Sequence, residues 1–172
     1  RIIPCLLLHE EGLVKTKNFK DPKYIGDPLN AVKIFNEKEA DELIVLDIDA
    51  SKLKCEPNFK LIKQLAGECR MPLCYGGGIR SLEQAKKIIR LGVEKVALSS
   101  IAIEDPKIVT HIANSIGSQS VVVILDVKKN FFGKYEVWIN NATKNSKKNI
   151  LDIIKEYEKL GAGEIVINSI DQ

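Results

Sequence analysis

Six short runs of apolar residues alternate with amphipathic stretches along this chain, and few folds accept that order. The runs cover residues 2–8, 42–49, 72–75, 95–100, 120–127 and 164–170. They are continuous rather than alternating, so each reads as a strand buried on both faces. Helical patterns fill the gaps. Asp27-Pro28 starts one, with the acid as cap and proline in the first turn. Others run over 58–69, over 81–91 from Ser81, from Asp105-Pro106 to about 116, and over 149–160. Strict strand–helix alternation predicts a parallel sheet covered by helices, with six strands and five helices. Two segments fall outside the pattern. The polar stretch from His9 to Gly26 is long enough for a functional loop. Residues 128–139 read as a β-hairpin turning at Gly133-Lys134, its aromatics packed against the body as a flap.

The strands end in polar residues: Asp47, Asp49, Ser99, Ser100, Asp126, Ser169 and Asp171. In a β/α barrel these meet at one mouth, whereas in a doubly wound sheet they gather at a switch point. So many polar ends favour the barrel. An internal repeat agrees. The run 41–50 matches 163–172, pairing Glu42 with Glu164 and Asp49 with Asp171, and 2–8 matches 121–127, placing Leu7 opposite Asp126. The reading is a (β/α)8 TIM barrel of duplicated half-barrels, truncated to about six strands and five helices. It is a single incomplete domain over 1–172, with one half-barrel over about 1–117 and the start of a second over about 118–172. A closed barrel takes about 250 residues, so the chain reads as a fragment, with exposed strand edges if it stands alone.

The strand at 72–75 runs into Gly76, Gly77 and Gly78, and Ser81 then opens a helix. Glycine lets backbone N–H groups approach an anion closely, and a helix start adds unpaired donors. The alternative is a plain tight β-to-α turn. Composition removes other classes. With 26 basic and 23 acidic residues, net charge is +3, too balanced to argue for nucleic acid. No run approaches the ~18 apolar residues of a membrane span, and no secretory signal is present. Cys5, Cys55, Cys69 and Cys74 form no C-x-x-C pair and read as buried reduced thiols of a cytoplasmic protein. His9 and His111 have no ligand partners nearby, so neither a metal nor another cofactor is expected.

The motifs Arg1-Ile-Ile-Pro-Cys-Leu, Gly26-Asp-Pro28, Ala40-Asp-Glu-Leu43, Leu46-Asp-Ile48, Gly76-Gly-Gly-Ile-Arg80, Gly117-Ser-Gln119 and Gly161-Ala-Gly-Glu-Ile165 run the length of the chain. Together they resemble the synthase (cyclase) subunit of imidazole glycerol phosphate synthase, a glutamine amidotransferase complex of histidine biosynthesis. The resemblance implies a barrel that receives ammonia from a glutaminase subunit in a heterodimer and acts on a substrate with two phosphates. It places Gly77, Gly78, Ser99 and Ser100 at the first phosphate site, where the family often has Asn in place of Ser99. Asp171 falls at the edge of the second. It gives Lys15, Asp47 and Asp126 active-site roles, and makes Arg1, Glu42, Lys95 and Glu164 the charged ring that gates ammonia. On spacing alone, those four are equally four solvent-facing charges at strand starts.

Leu7 departs from the family, whose chemistry uses two aspartates as general acid and base. Asp126 matches one, and Leu7 holds the other position. Leucine transfers no proton, a function worth roughly 10²–10⁴-fold in rate. Arg1 to Leu8, Leu13-Val-Lys-Thr16 and Leu46 to Ser51 look like a paralogous branch associated with surface polysaccharide (O-antigen) clusters. There the resemblance implies amidation of an acetamido sugar to an acetamidino one, which needs no ring closure. The alternatives are an ordinary histidine-pathway cyclase with Leu7 compensated, and a non-catalytic partner that docks a glutaminase.

Overall fold

The computed structural model of the chain describes residues 2–17, 20–53, 55–131, 133–139, 144–146 and 149–169. In chain order these form β1 (Cys5–His9), β2 (Gly12–Lys17), β3 (Lys20–Gly26), α1 (Pro28–Glu37), β4 (Leu43–Asp47), α2 (Ile48–Leu53) and α3 (Phe59–Glu68). Then follow β5 (Leu73–Gly76), α4 (Leu82–Arg90), β6 (Lys95–Leu98), α5 (Ser100–Glu104), α6 (Lys107–Ile116) and β7 (Val121–Lys129). The last are β8 (Tyr135–Ile139), β9 (Lys144–Asn145), α7 (Ile150–Leu160) and β10 (Glu164–Ser169). Helix starts fall where cap residues predict them. Asp27 accepts from the Asn30 N–H at 2.9 Å, Asn58 from Leu61 at 3.1 Å, Ser81 from Gln84 at 3.2 Å and Asn149 from Leu151 at 2.9 Å. Each side chain satisfies one of the donors that a helix start leaves open.

The parallel strands are neighbours in the order β1-β4-β5-β6-β7-β10. That order never reverses, so there is no switch point as in a doubly wound sheet. The two sheet faces differ accordingly. The larger core joins Leu8, Val45, Tyr75, Val96, Val123 and Leu125 to helix residues such as Val32, Ile62, Ile88, Ile112 and Ile153. The other face carries Ile44, Cys74, Ala97, Val122 and Ile124, with Ile3, Leu46 and Val166 beside them and no helix residue. Helices on one face only, and a second apolar face turned inward, make this a (β/α)8 barrel fold followed through six strands, unclosed among the described residues.

Several expectations are corrected. Within the stretch expected as a loop, residues 12–17 and 20–26 form the antiparallel pair β2–β3, continuing from β1. Leu13 and Val14 are buried, and those two apolar side chains anchor an otherwise polar ribbon. Asp49 and Ser100 do not end strands. They sit in the short helices α2 and α5, which leave β4 and β6 at once. The 128–139 hairpin forms, with Asp126 opposite Trp138 and Lys129 opposite Tyr135. Its packing is less complete than a flap requires. Val137 is buried, whereas Phe131, in the turn, is 99% exposed and Tyr135, at the turn end of β8, is exposed, so burial reaches only the part of the hairpin away from its tip. Phe132 lies outside the described residues. Of the thiols, Cys74 is buried, but Cys5 and Cys55 are exposed. Cys5 lies on the inner face of β1, where no further parallel strand covers it among the described residues.

Candidate functional site

The C-terminal ends of the parallel strands enclose a cavity lined by residues from β1, β4, β5, β6, β7 and β10. Strand periodicity selects them. Leu7, Leu46 and Gly76 share the inner face by register, as do Ile124 with Val166 and Asp126 with Asn168. Leu7, Leu46, Ile48 and Ile124 make the wall largely apolar, and Asp126 is its buried carboxyl. The Asn168 side-chain amide donates to Asp126 Oδ1 at 2.8 Å. Burial pushes the Asp126 carboxyl up to about 6, and the Asn168 bond opposes that only in part. A carboxyl poised near neutral pH, facing a cavity, suits proton transfer. Opposite Asp126 in register stands Trp138, whose indole N–H is buried without a partner among the described residues.

A second pocket adjoins the first, sharing Gly77, Ala97 and Ser99 with it. It brings together all four residues expected at the first phosphate site, Gly77, Gly78, Ser99 and Ser100, and adds Arg80. Gly77 and Gly78 have φ of 120° and 70°, which only glycine adopts without strain. A Cβ at Gly78 would lie 2.6 Å from the Cys55 carbonyl oxygen. The glycines therefore let backbone and serine hydroxyls face one small volume. Arg80 lies at the edge, paired with Glu104 at 3.3 Å.

At the opposite end of the inner face, Lys95 Nζ lies 2.9 Å from Glu42 Oε2 and 2.7 Å from Glu164 Oε1. Glu42 is buried and Lys95 nearly so. Burial works to lower the Lys95 pKa, but the bonds to Glu164 and Glu42 outweigh it and hold the ammonium above its ordinary value. Three of the four residues expected in a charged ring are thus in mutual contact. Arg1 lies outside the described residues, as does Asp171.

Two expected residues are placed otherwise. Lys15 is exposed on β2 opposite Lys23 and does not line the cavity. Asp47 touches the cavity, but its Oδ1 accepts from the N–H groups of Asp49 at 3.0 Å and Ala50 at 2.9 Å, closing the first turn of α2. Burial raises its pKa, those two bonds and the nearby Tyr75 hydroxyl lower it, and Asp49 adds a smaller rise. Asn168, Trp138 and Arg80 were not singled out from sequence. Asn168 carried one usable signal, an inward position two residues after Val166. Among the described residues no cluster of His, Cys, Asp or Glu has a metal-binding arrangement, and no helix is long and apolar enough to cross a membrane.

Known proteins match this chain throughout. A Leptospira borgpetersenii protein, provisionally named imidazole glycerol phosphate synthase subunit HisF, is 62% identical over 100% of the chain and 68% of its own length. A Vibrio vulnificus protein, provisionally named subunit hisF3 of the same enzyme, is 59% identical over 99% of the chain and 66% of its own. The imidazole glycerol phosphate synthase subunit HisF of Lactococcus lactis is 43% identical over 100% of the chain and 67% of its own length. The chain thus spans about two thirds of these relatives. The model of the family described as histidine biosynthesis protein matches residues 1–172, and with the barrel strands and their two polar ends in place, the chain belongs to that family.

Proposed function

We propose that this chain is the barrel subunit of a glutamine amidotransferase-type complex, taking ammonia from a glutaminase partner and adding it to a phosphorylated, sugar-like substrate. One observation carries the reading. A single inner face has an ion-paired cluster at one end, Glu42–Lys95–Glu164, and a buried proton-transfer carboxyl, Asp126, at the other. Ammonia entering past Lys95 travels between Ile44, Cys74, Ala97 and Val122, an apolar path that keeps it unprotonated. The Gly77–Gly78–Ser99–Ser100 pocket holds the substrate phosphate beside Asp126. Arg1, read as the fourth gate residue, and Asp171, read at the edge of a second phosphate site, lie outside the described residues.

Leu7 points the reading toward the paralogous branch, amidation of a surface-polysaccharide sugar. It lines the same cavity as Asp126 and supplies no proton. The second reading is the cyclase of histidine biosynthesis, favoured by the intact phosphate pocket. The test supplies full-length protein with ammonium chloride and the bisphosphate precursor of the histidine pathway. Imidazole glycerol phosphate formed at a rate usual for the family would sink the sugar reading. No product from wild type, with product from Leu7→Asp, would mean the scaffold still binds that precursor but lacks the carboxyl. No product from either directs the assay to nucleotide-linked acetamido sugars.

A further inference from the structure

Leu7 leaves the β1 side of the mouth without a proton-transfer group, and the next inward residue on that strand is His9. Cys5, Leu7 and His9 share one face of β1 by alternation, so His9 stands about 7 Å beyond Leu7 toward the mouth. Its ring is not free to turn. His9 Nδ1 lies 2.8 Å from Asp49 Oδ1 on α2. A carboxylate only accepts, so Nδ1 carries the hydrogen and Nε2 is left as the basic nitrogen. Asp49 uses its other oxygen on the same turn: the Glu10 N–H donates to Oδ2 at 2.8 Å. His9 and Asp49 side chains keep 32% and 25% exposure, enough for solvent or substrate to reach the ring. Among the described residues nothing bonds Nε2.

The backbone beneath this pair is strained, because a two-residue hairpin turn needs positive φ at both central positions. Glu10 and Glu11 join β1 to β2 with φ of 48° and 63°. Both lie in the left-handed region, where a residue with a Cβ costs roughly 1–2 kcal/mol and a two-residue hairpin prefers Asn or Gly. The turn is held from outside instead. Asp49 grips Glu10, and Asn58 Nδ2 donates to Glu11 Oε1 at 2.7 Å. Strain sustained by polar contacts at the mouth of a cavity is the pattern of a positioned functional group.

We propose that His9 is the second proton-transfer group of this mouth, with Asp49 as the positioning residue that sets its tautomer. The inference rests on the ammonia-dependent reading above. When ammonia condenses with a carbonyl carbon, C=N replaces C=O: the nitrogen gives up two of its three protons, one as it attacks and one as the oxygen leaves, and both depart with that oxygen as water. His9 Nε2 takes a proton from the attacking nitrogen, and Asp126 delivers one to the departing oxygen. Two groups on opposite strands then do what Asp126 and Leu7 cannot.

The test has two arms on the full-length protein. Nitrogen-15 NMR without substrate reads the neutral tautomer, assigned by loss of signal in His9→Asn. The proton should sit on Nδ1, and should move largely to Nε2 in Asp49→Ala. The second arm is turnover with ammonium chloride. His9→Asn keeps a donor where Nδ1 was, so folding and the Asp49 bond survive, while kcat should fall at least ~10²-fold with KM little changed. In His9→Ala, millimolar imidazole should restore part of the rate. Wild-type kcat in His9→Asn, or a neutral His9 protonated on Nε2, overturns the proposal and makes the pair a structural latch for the hairpin. The tautomer is read without substrate, so it judges His9 even where the ammonia reading fails.

Discussion

The two ends of the inner face handle buried charge in opposite ways. At the Lys95 end, one ammonium sits between two carboxylates within 2.9 Å and bonds to both. At the Asp126 end, a carboxyl has one neutral amide for company and an apolar wall around it. An ammonium bonded to two carboxylates holds its charge. A carboxyl desolvated without an opposite charge drifts toward neutrality. The first arrangement suits a gate and the second a group that takes and returns protons. One strand layer carries both because period-two alternation delivers one inward side chain per layer from each strand.

The largest expected effect separates the two ends by chemistry. Asp126→Asn keeps shape and hydrogen bonding to Asn168, so product formation from ammonium should fall by roughly 10²–10⁴-fold with the protein fully folded by circular dichroism. Unchanged turnover would remove Asp126 from the reaction. Next, Lys95→Met leaves Glu42 buried beside Glu164, and urea denaturation should show a loss of about 3–5 kcal/mol. A loss below about 1 kcal/mol would mean the cluster behaves as a surface pair.

A smaller effect uses pH. Asp126 titrates near 6 in the folded chain against an ordinary value of 3.8, so the folded state holds this proton more tightly than the unfolded state. Its stabilising contribution is complete below pH 3.8 and is lost as pH rises through about 6. Measured against Asp126→Asn, wild type should lose about 2–3 kcal/mol of relative stability between those limits and none beyond. A constant difference would mean the carboxyl is solvated. The smallest effect is a control at neither end. Asn149→Ala removes the α7 cap bond and should cost about 1 kcal/mol, leaving turnover unchanged.

Much of the site was legible because it is written in backbone chemistry. Gly77 and Gly78 are needed for their φ values, and Ser99 and Ser100 follow the next strand, so sequence order alone put them at one rim. Asp47 lines the cavity as expected from a strand end, and what the sequence did not show is that it also caps the short helix α2. Lys15 misled because an exposed ribbon, not a loop folded over the mouth, carries it. Asn168 and Trp138 carried weak signals. Asn168 bonds Asp126 and Trp138 stands opposite it, and both placements depend on register between paired strands.

By itself, the sequence determined the strand–helix alternation, the cap positions, the parallel barrel and the absence of a carboxyl at position 7. These follow from local propensity and from side chains one or two residues apart. Only the tertiary structure decided that Lys95 lies between Glu42 and Glu164, that burial brings Asp126 near neutrality, and that Asp49 turns toward His9 rather than into the cavity. Charge pairing, desolvation and ring orientation are set by neighbours 40 or more residues away in the chain. No local pattern encodes those neighbours; the pairing of strands in one curved sheet and the helices packed on it bring them together.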